Sequence, residues 1–171
     1  MRNLEAKFKL RDLSAARISA EAIGFTVLGI LTQRDTFFAV NQGKLKLREQ
    51  ADGAWLIHYR REDAGGLELS DYEIVETANP DVARRMLSAA IGVLAEVRKQ
   101  RTLLMRANIR LHLDQVDGLG EFGEIEAVLG ENDEAKSYRT AVAEILSALE
   151  VSGGDLIGVS YFELLRSTAG T

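Results

Sequence analysis

The sequence contains no cysteine, which excludes disulfides and thiolate metal sites. Its only histidines are His58 and His112, too few for a histidine-rich zinc centre. Any metal must then be held mainly by carboxylates, the ligands of hard ions such as Mg²⁺, Mn²⁺ or Ca²⁺. No apolar run approaches the roughly 20 residues of a membrane span. The N-terminus carries Arg2, Glu5, Lys7 and Lys9 and has no signal-like apolar stretch, so the cytoplasm is the expected location, with no membrane partner. The formal charge of -5 lacks the basic excess of a general nucleic-acid binder. A single proline leaves long strands uninterrupted, which suits a barrel wall. What is present is 46% hydrophobic and 27% charged residues over 171 positions, the balance of one globular domain spanning residues 1–171.

Periodicity predicts the elements. Asn3 to Leu10 alternate strictly, with Asn3, Glu5, Lys7 and Lys9 on one face and Leu4, Ala6, Phe8 and Leu10 on the other, which is a strand. Asp12 or Ser14 caps a short helix ending near Gly24. Extended segments follow at Phe25 to Val40, Lys44 to Glu49, Trp55 to Arg61 and Leu67 to Val75, separated by turn signals at Asn41-Gln-Gly43, Asp52-Gly53 and Gly65-Gly66. Asn79-Pro80 starts a helix whose apolar stripe reads Val82, Met86, Ala90 and Val93 or Leu94. Strands at Val97 to Leu104, Asn108 to Val116 and Phe122 to Leu129 precede an amphipathic helix over Glu134 to Leu149 and a short terminal one over Tyr161 to Leu165. About eight strands joined largely by hairpins, with two or three helices, predict a mostly antiparallel α+β fold.

The strands have strongly polar faces. Lys44, Lys46 and Arg48 share one face, Arg110, His112 and Asp114 another, and Glu124 and Glu126 a third. Either these faces meet water, as in any half-exposed sheet, or they line the inside of a closed barrel that holds a ligand. Alternation alone does not separate the two. Gly118-Leu-Gly-Glu-Phe-Gly123 spells the dinucleotide fingerprint GxGxxG, but a strand and not a helix follows it, so its glycines are read as turn residues.

Four segments together resemble the CYTH family, or triphosphate tunnel metalloenzymes, which includes class IV adenylyl cyclases and thiamine triphosphatases. Asn3-Leu-Glu-Ala-Lys7 is similar to the opening Glu-x-Glu-x-Lys, with Asn3 in place of the first Glu. Gln33 to Phe38 followed by Gly43 to Glu49 resembles DTYF…GRLKLRE, and Trp55 to Arg61 the strand after it. His112 to Glu126 resembles HLDxVxGLGxFxELE, with Gly123 where an aliphatic residue is usual. Ser160-Tyr161 with Leu164-Leu165 looks like the C-terminal motif of the cyclase-like branch.

The resemblance implies an antiparallel eight-stranded β-barrel with flanking helices around a tunnel. It implies Mg²⁺ or Mn²⁺ held by Glu5, Asp114, Glu124 and Glu126, and phosphate oxygens held by Lys7, Lys46, Arg48, Arg61 and Arg101, with Lys7, Asp114 and Glu126 carrying the chemistry. Neighbouring cations compete with Arg61 and Arg101 for their roles. Lys44, nearer the turn, is expected to be solvated, and His112 to be a wall residue that orients Asp114. The implied substrate is a small-molecule triphosphate, ATP or thiamine triphosphate. Class IV adenylyl cyclase activity is the leading expectation, with a triphosphatase or a non-catalytic phosphate-binding module as the alternatives, and a homodimer is implied as well.

Overall fold

The computed structural model describes residues 2–63, 67–130 and 135–169. Gly65-Gly66 and Glu134 therefore lie outside the described residues. Eight strands run in chain order: β1 (Arg2–Lys9), β2 (Thr26–Phe38), β3 (Lys44–Gln50), β4 (Gly53–Asp63), β5 (Glu68–Glu76), β6 (Val93–Arg106), β7 (Ile109–Val116) and β8 (Gly120–Leu129). They close into one antiparallel barrel in the order β1-β5-β4-β3-β2-β6-β7-β8. Flanking it are α1 (Leu13–Ala22), α2 (Pro80–Ile91), α3 (Arg139–Ala148) and α4 (Tyr161–Ala169). None of the described helices is long and apolar enough to cross a membrane.

Closure turns alternation inside out relative to an ordinary globule. On β1, β3, β7 and β8 the polar positions face the interior, and the main apolar core lies outside the barrel wall. Leu4, Ala6 and Phe8 of β1, Leu111 and Leu113 of β7 and Ile125 and Ala127 of β8 are all buried there, beneath Ala16 and Ala20 of α1 and Val142 and Ile145 of α3. A smaller cluster of Phe38, Leu47 and Ala54 is covered by α2 through Ala83 and Leu87. Gly123 belongs to this logic. A Cβ there would stand 2.1 Å from the ring of the fully buried Phe8, so its lack of a side chain is what admits that ring.

The helix starts follow the sequence. Asp12 Oδ1 accepts the Ala15 N–H at 2.9 Å, and Asn79 Oδ1 accepts that of Val82 at 3.3 Å with Pro80 in the first turn. The predicted stripe of α2 is corrected. Met86 is 66% exposed, and Ala83 and Leu87 do the packing. Val93 and Leu94 are not helical at all. Gly92, at φ 79°, ends α2, and β6 begins immediately, with Val93 opposite Phe38. The predicted helix over Glu134 to Leu149 begins instead as a 3₁₀ turn, Ala135–Tyr138, before α3. Of the GxGxxG glycines, Gly118 and Gly120, at φ 75° and 100°, make the β7–β8 turn, whereas Gly123 lies within β8 and is not a turn residue.

Candidate active site

Residues two apart on a strand share a face, so each strand delivers a pair of polar groups to the interior. β1 supplies Glu5 and Lys7, β2 Gln33 and Asp35, β3 Lys46 and Arg48, β4 Tyr59 and Arg61, β6 Lys99 and Arg101, β7 Arg110 and His112, and β8 Glu124 and Glu126. They line a cavity of about 500 Å³. Among the described residues its lining carries seven cationic side chains against four carboxylates, in a chain whose overall charge is negative. Such a cavity concentrates anions.

The charges neutralise one another in two distinct arrangements. In the first, a carboxylate grips an arginine across a strand pair. Asp35 takes Arg48 through Nε (2.8 Å) and a terminal nitrogen (2.7 Å), with Lys46 at 3.1 Å. Asp114 takes Arg101 through two bonds of 2.6 Å, with Lys99 at 3.4 Å and the Tyr161 hydroxyl donating at 2.9 Å. Burial works to raise both acids, but Arg48 and Lys46 hold Asp35, and Arg101 and Lys99 hold Asp114, far below the usual range. In the second arrangement, carboxylates face the cavity. Lys7 lies 2.6 Å from Glu124, Arg101 3.0 Å from the same group, and Arg61 2.9 Å from Glu5. Glu124 stays well below its ordinary value because Lys7, His112 and Arg101 outweigh its burial. Burial raises Glu5 to about 7 over the opposing pull of Arg61, with Glu124 and Glu126 adding to the rise.

Two lysines are poised near neutrality. Burial, with Arg101 beside it, pushes Lys99 down to about 7, and burial with Arg48 pushes Lys46 to about 8. Their protonation is therefore easily changed by an incoming anion.

His112, Glu124 and Glu126 present ligand atoms within 4.8 Å of one another. Burial and Arg101 lower the His112 pKa, which favours the neutral imidazole that ligates metals. Two carboxylates with an imidazole fit a divalent cation of the Mg²⁺ or Mn²⁺ type.

The two ends of the cavity differ. One is closed by the C-terminal segment. The Ile157 N–H donates to the Lys7 carbonyl at 2.8 Å, the Tyr161 ring lies under the ammonium groups of Lys7 and Lys99 at 4.9 and 5.2 Å, and Phe162 packs on Phe37 at 4.7 Å. The other end is open, with Arg110 38% exposed in its side chain and Ile74 43% exposed, and apolar side chains share its walls with Gln50 and Arg110. Leu31, Leu103 and Met105 form one side, Trp55 and Ile74 the other.

The structure brings Glu5, Lys7, Lys46, Arg48, Arg61, Arg101, Glu124 and Glu126 to this one cavity. Asp114 is fully buried behind Arg101, and its oxygens are engaged by Arg101, Lys99 and Tyr161. His112 contacts Glu124 at 3.4 Å and Glu126 at 3.8 Å, and so meets the cavity acids instead of orienting Asp114. Lys44 is held by Glu163 of α4 at 2.7 Å and is not merely solvated. Sequence reasoning missed Asp35, Lys99 and Tyr161. Neither β2 nor β6 offers polar–apolar contrast there, and the one signal available was the spacing of two that puts Lys99 on the face of Arg101, already assigned by resemblance.

Known proteins share this fold. A protein from Methanocaldococcus jannaschii, provisionally named an adenylate cyclase, is 25% identical over 96% of this chain and 98% of its own. The solved structure of PH1012 from Pyrococcus horikoshii superposes with a TM-score of 0.85 at 20% identity, covering 95% of this chain and 98% of that one. A Hippeastrum protein, provisionally an adenylyl cyclase and described as having a dominant triphosphatase activity, superposes with a TM-score of 0.68 at 19% identity, over 97% of this chain and 96% of its own. The CYTH domain matches residues 1–161, and with the closed polar barrel in view, this chain belongs to the CYTH domain family.

Proposed function

We propose that this chain is a metal-dependent enzyme that holds a triphosphate inside the barrel and, with ATP, forms cyclic AMP and pyrophosphate. The observation that carries this reading is the excess of cations over carboxylates in a cavity closed at one end that also holds the His112, Glu124 and Glu126 cluster. A triphosphate brings about four negative charges at neutral pH and is usually met by cations and metal together. Lys7, Lys46, Arg48, Arg61 and Arg101, joined by Lys99, bind its oxygens. The two arginines held from behind by Asp35 and Asp114 offer fixed forks, and the lysines act as mobile point charges.

Glu124 and Glu126 would hold Mg²⁺ or Mn²⁺ with Glu5 and His112 beside them, while Asp114 positions Arg101. An ion held there would supply charge neutralisation for the phosphoryl group. The ligand's entry gives Lys7 and Arg101 phosphate oxygens in exchange for Glu124, which frees that carboxylate.

Cyclisation is favoured by where the acidic cluster stands. His112 lies opposite Leu103, and Arg110 lies opposite both Met105 and Glu126, which puts the cluster beside the apolar open end. An organic group in that mouth brings the α-phosphate next to the cluster, so that a ribose 3′-hydroxyl attacks the α-phosphorus and pyrophosphate leaves. The second reading is hydrolysis, in which water attacks the γ-phosphorus. It is supported by the triphosphatase activity described for the Hippeastrum relative. Product analysis with ATP, thiamine triphosphate and inorganic triphosphate, each with Mg²⁺ and Mn²⁺, decides between them. Cyclic AMP with pyrophosphate supports cyclisation, and orthophosphate supports hydrolysis. Lys7→Ala and Glu126→Ala each abolish either reaction. Turnover that survives both changes refutes these site assignments, and no metal-dependent turnover of any triphosphate leaves a binding module.

A further inference from the structure

We propose that Tyr161 is a positioning residue whose hydroxyl fills the acceptor on Asp114 that Lys99 would otherwise close upon, and so leaves the Lys99 ammonium free for a phosphate. This deepens the triphosphate reading above and rests on it, since Lys99 is one of the cations that meet the anion there.

Tyr161 reaches the cavity from outside the wall. Among the described lining residues, only Ser160 and Tyr161 belong to no barrel strand. The start of α4 brings the ring there in a fixed pose. Glu163 accepts the Ser160 N–H at 2.8 Å and pairs with Lys44 at 2.7 Å, Phe162 packs on Phe37, and the Tyr161 ring meets Phe122 at 5.1 Å. Tyr161 is buried, so its hydroxyl needs a partner inside the protein.

That partner is Asp114 Oδ2, at 2.9 Å. The same oxygen accepts a terminal nitrogen of Arg101 at 2.6 Å. A carboxylate oxygen offers about two lone-pair sites, and these two donors fill them. Lys99 comes third. Its ammonium stops 3.4 Å from Oδ2, beyond the roughly 2.8 Å of a charge-assisted bond, although both groups are buried and opposite in charge. It lies instead over the Tyr161 ring, 5.2 Å from the centroid. An aromatic face attracts a cation without a directed hydrogen bond. Lys99 can therefore turn to a phosphate oxygen without first breaking a tight ion pair. Without the hydroxyl, a site on Oδ2 falls vacant and Lys99 closes onto it.

The test is a double-variant cycle of Tyr161→Phe and Lys99→Met in the full chain, with inorganic triphosphate titrated calorimetrically in EDTA. Tyr161→Phe keeps the ring and is expected to weaken binding roughly three- to tenfold, the scale of one net hydrogen bond. In the Lys99→Met background the same change is expected to be silent, within about twofold. In steady-state turnover with Mn²⁺ the loss is expected in KM, with kcat held. Unchanged affinity in Tyr161→Phe overturns the role, because the hydroxyl is then idle. Equal weakening in both backgrounds, or a fall in kcat at constant KM, overturns it by assigning Tyr161 to Arg101 or to the fold. The parent reading fails separately. A wild-type chain that binds inorganic triphosphate but turns over no triphosphate with Mg²⁺ or Mn²⁺ overturns the metal-dependent enzyme, and the cycle in EDTA still decides on Tyr161. A wild-type chain that binds no triphosphate overturns the reading of the cavity, and the role of Tyr161 with it.

Discussion

Replacing Asp35 with asparagine is the sharpest probe of how the barrel is held together. The carboxylate is 3% exposed and neutralises Arg48 and Lys46 through contacts of 2.7 to 3.1 Å. Asparagine keeps the volume and one acceptor but leaves two cations facing each other without a counter-charge. Removing one partner of a buried pair costs about 3–5 kcal/mol. The cations here keep 14% and 17% side-chain exposure, so the lower end of that range, about 3 kcal/mol, applies. For a chain of this size each kcal/mol moves Tm by roughly 2–4 °C, which predicts a fall of about 6–12 °C. The second half of the prediction discriminates further. The variant cage is one charge more positive, so inorganic triphosphate must raise its Tm more than it raises that of the wild type at the same concentration. Differential scanning fluorimetry with and without triphosphate reads both. A Tm within 2 °C of wild type, or an equal ligand shift in the two proteins, refutes the reasoning. The pH dependence has a fixed sign. The folded pKa of Asp35 lies well below its ordinary value of 3.8, so its stabilisation is present above pH 4 and lost as pH falls further, and the gap between the proteins narrows on acidification.

Triphosphate binding should take up protons between pH 7 and 9, because the anion favours the charged forms of Lys99 and Lys46, which are pushed to about 7 and about 8 in its absence. Calorimetry in two buffers of different ionisation enthalpy at pH 8 reads the uptake, and identical heats in both count against it. Stability itself has opposite slopes around Glu5 and Lys99. Glu5, raised to about 7, stabilises below pH 4.5 and loses that contribution as pH climbs through 7, whereas the buried Lys99 costs least above pH 10. A Glu5→Gln variant should therefore flatten the fall in stability between pH 5 and 7, and an unchanged slope in urea titrations contradicts the assignment. Gly123→Ala forces a methyl into the Phe8 ring and should cost about 1–3 kcal/mol, with Phe8→Leu in the same chain recovering part of it. Additive losses in the double variant rule that contact out.

The alternating strands were the legible part. On β1, β3 and β7 a polar residue follows every apolar one within the strand, and on β8 Ile125 separates Glu124 from Glu126, so the shared faces of Glu5 and Lys7, of Lys46 and Arg48, and of Glu124 and Glu126 could be read directly. What alternation cannot carry is which face closes inward, since a solvated sheet and a polar tunnel have the same pattern. The family motifs supplied that choice. β2 hid its contribution because Gln33 and Asp35 alternate with Arg34 and Thr36, polar against polar, which leaves no contrast to read. β6 hid Lys99 in the same way, within the polar run from Arg98 to Arg101. The stripe of α2 was misplaced because Val82 and Met86 repeat at the same helical spacing as Ala83 and Leu87, and only the barrel decides which pair it covers. Gly92 was the overlooked stop signal. With it, Val93 and Leu94 fall into β6.

The acids of this barrel divide by what lies in front of them, a distinction no motif encodes. Asp35 and Asp114 each face an arginine directly across a ladder, Arg48 on β3 and Arg101 on β6. The β2–β6 ladder lies between these two pairs, so both guanidinium forks are fixed to one continuous stretch of wall. Ordering an arginine costs side-chain entropy, and a fork already locked by two hydrogen bonds has lost that entropy before any anion arrives. Glu5, Glu124 and Glu126 have no such assignment. Their partners Lys7 and Arg61 sit in the cavity itself and can turn to a phosphate, as can the Arg101 nitrogen that reaches Glu124. The same residue type thus does opposite work at the two depths. On the proposed reading, a carboxylate behind the arginines makes a rigid anion receptor, and one in front of them would give up its cation to the incoming triphosphate and be freed to hold the metal.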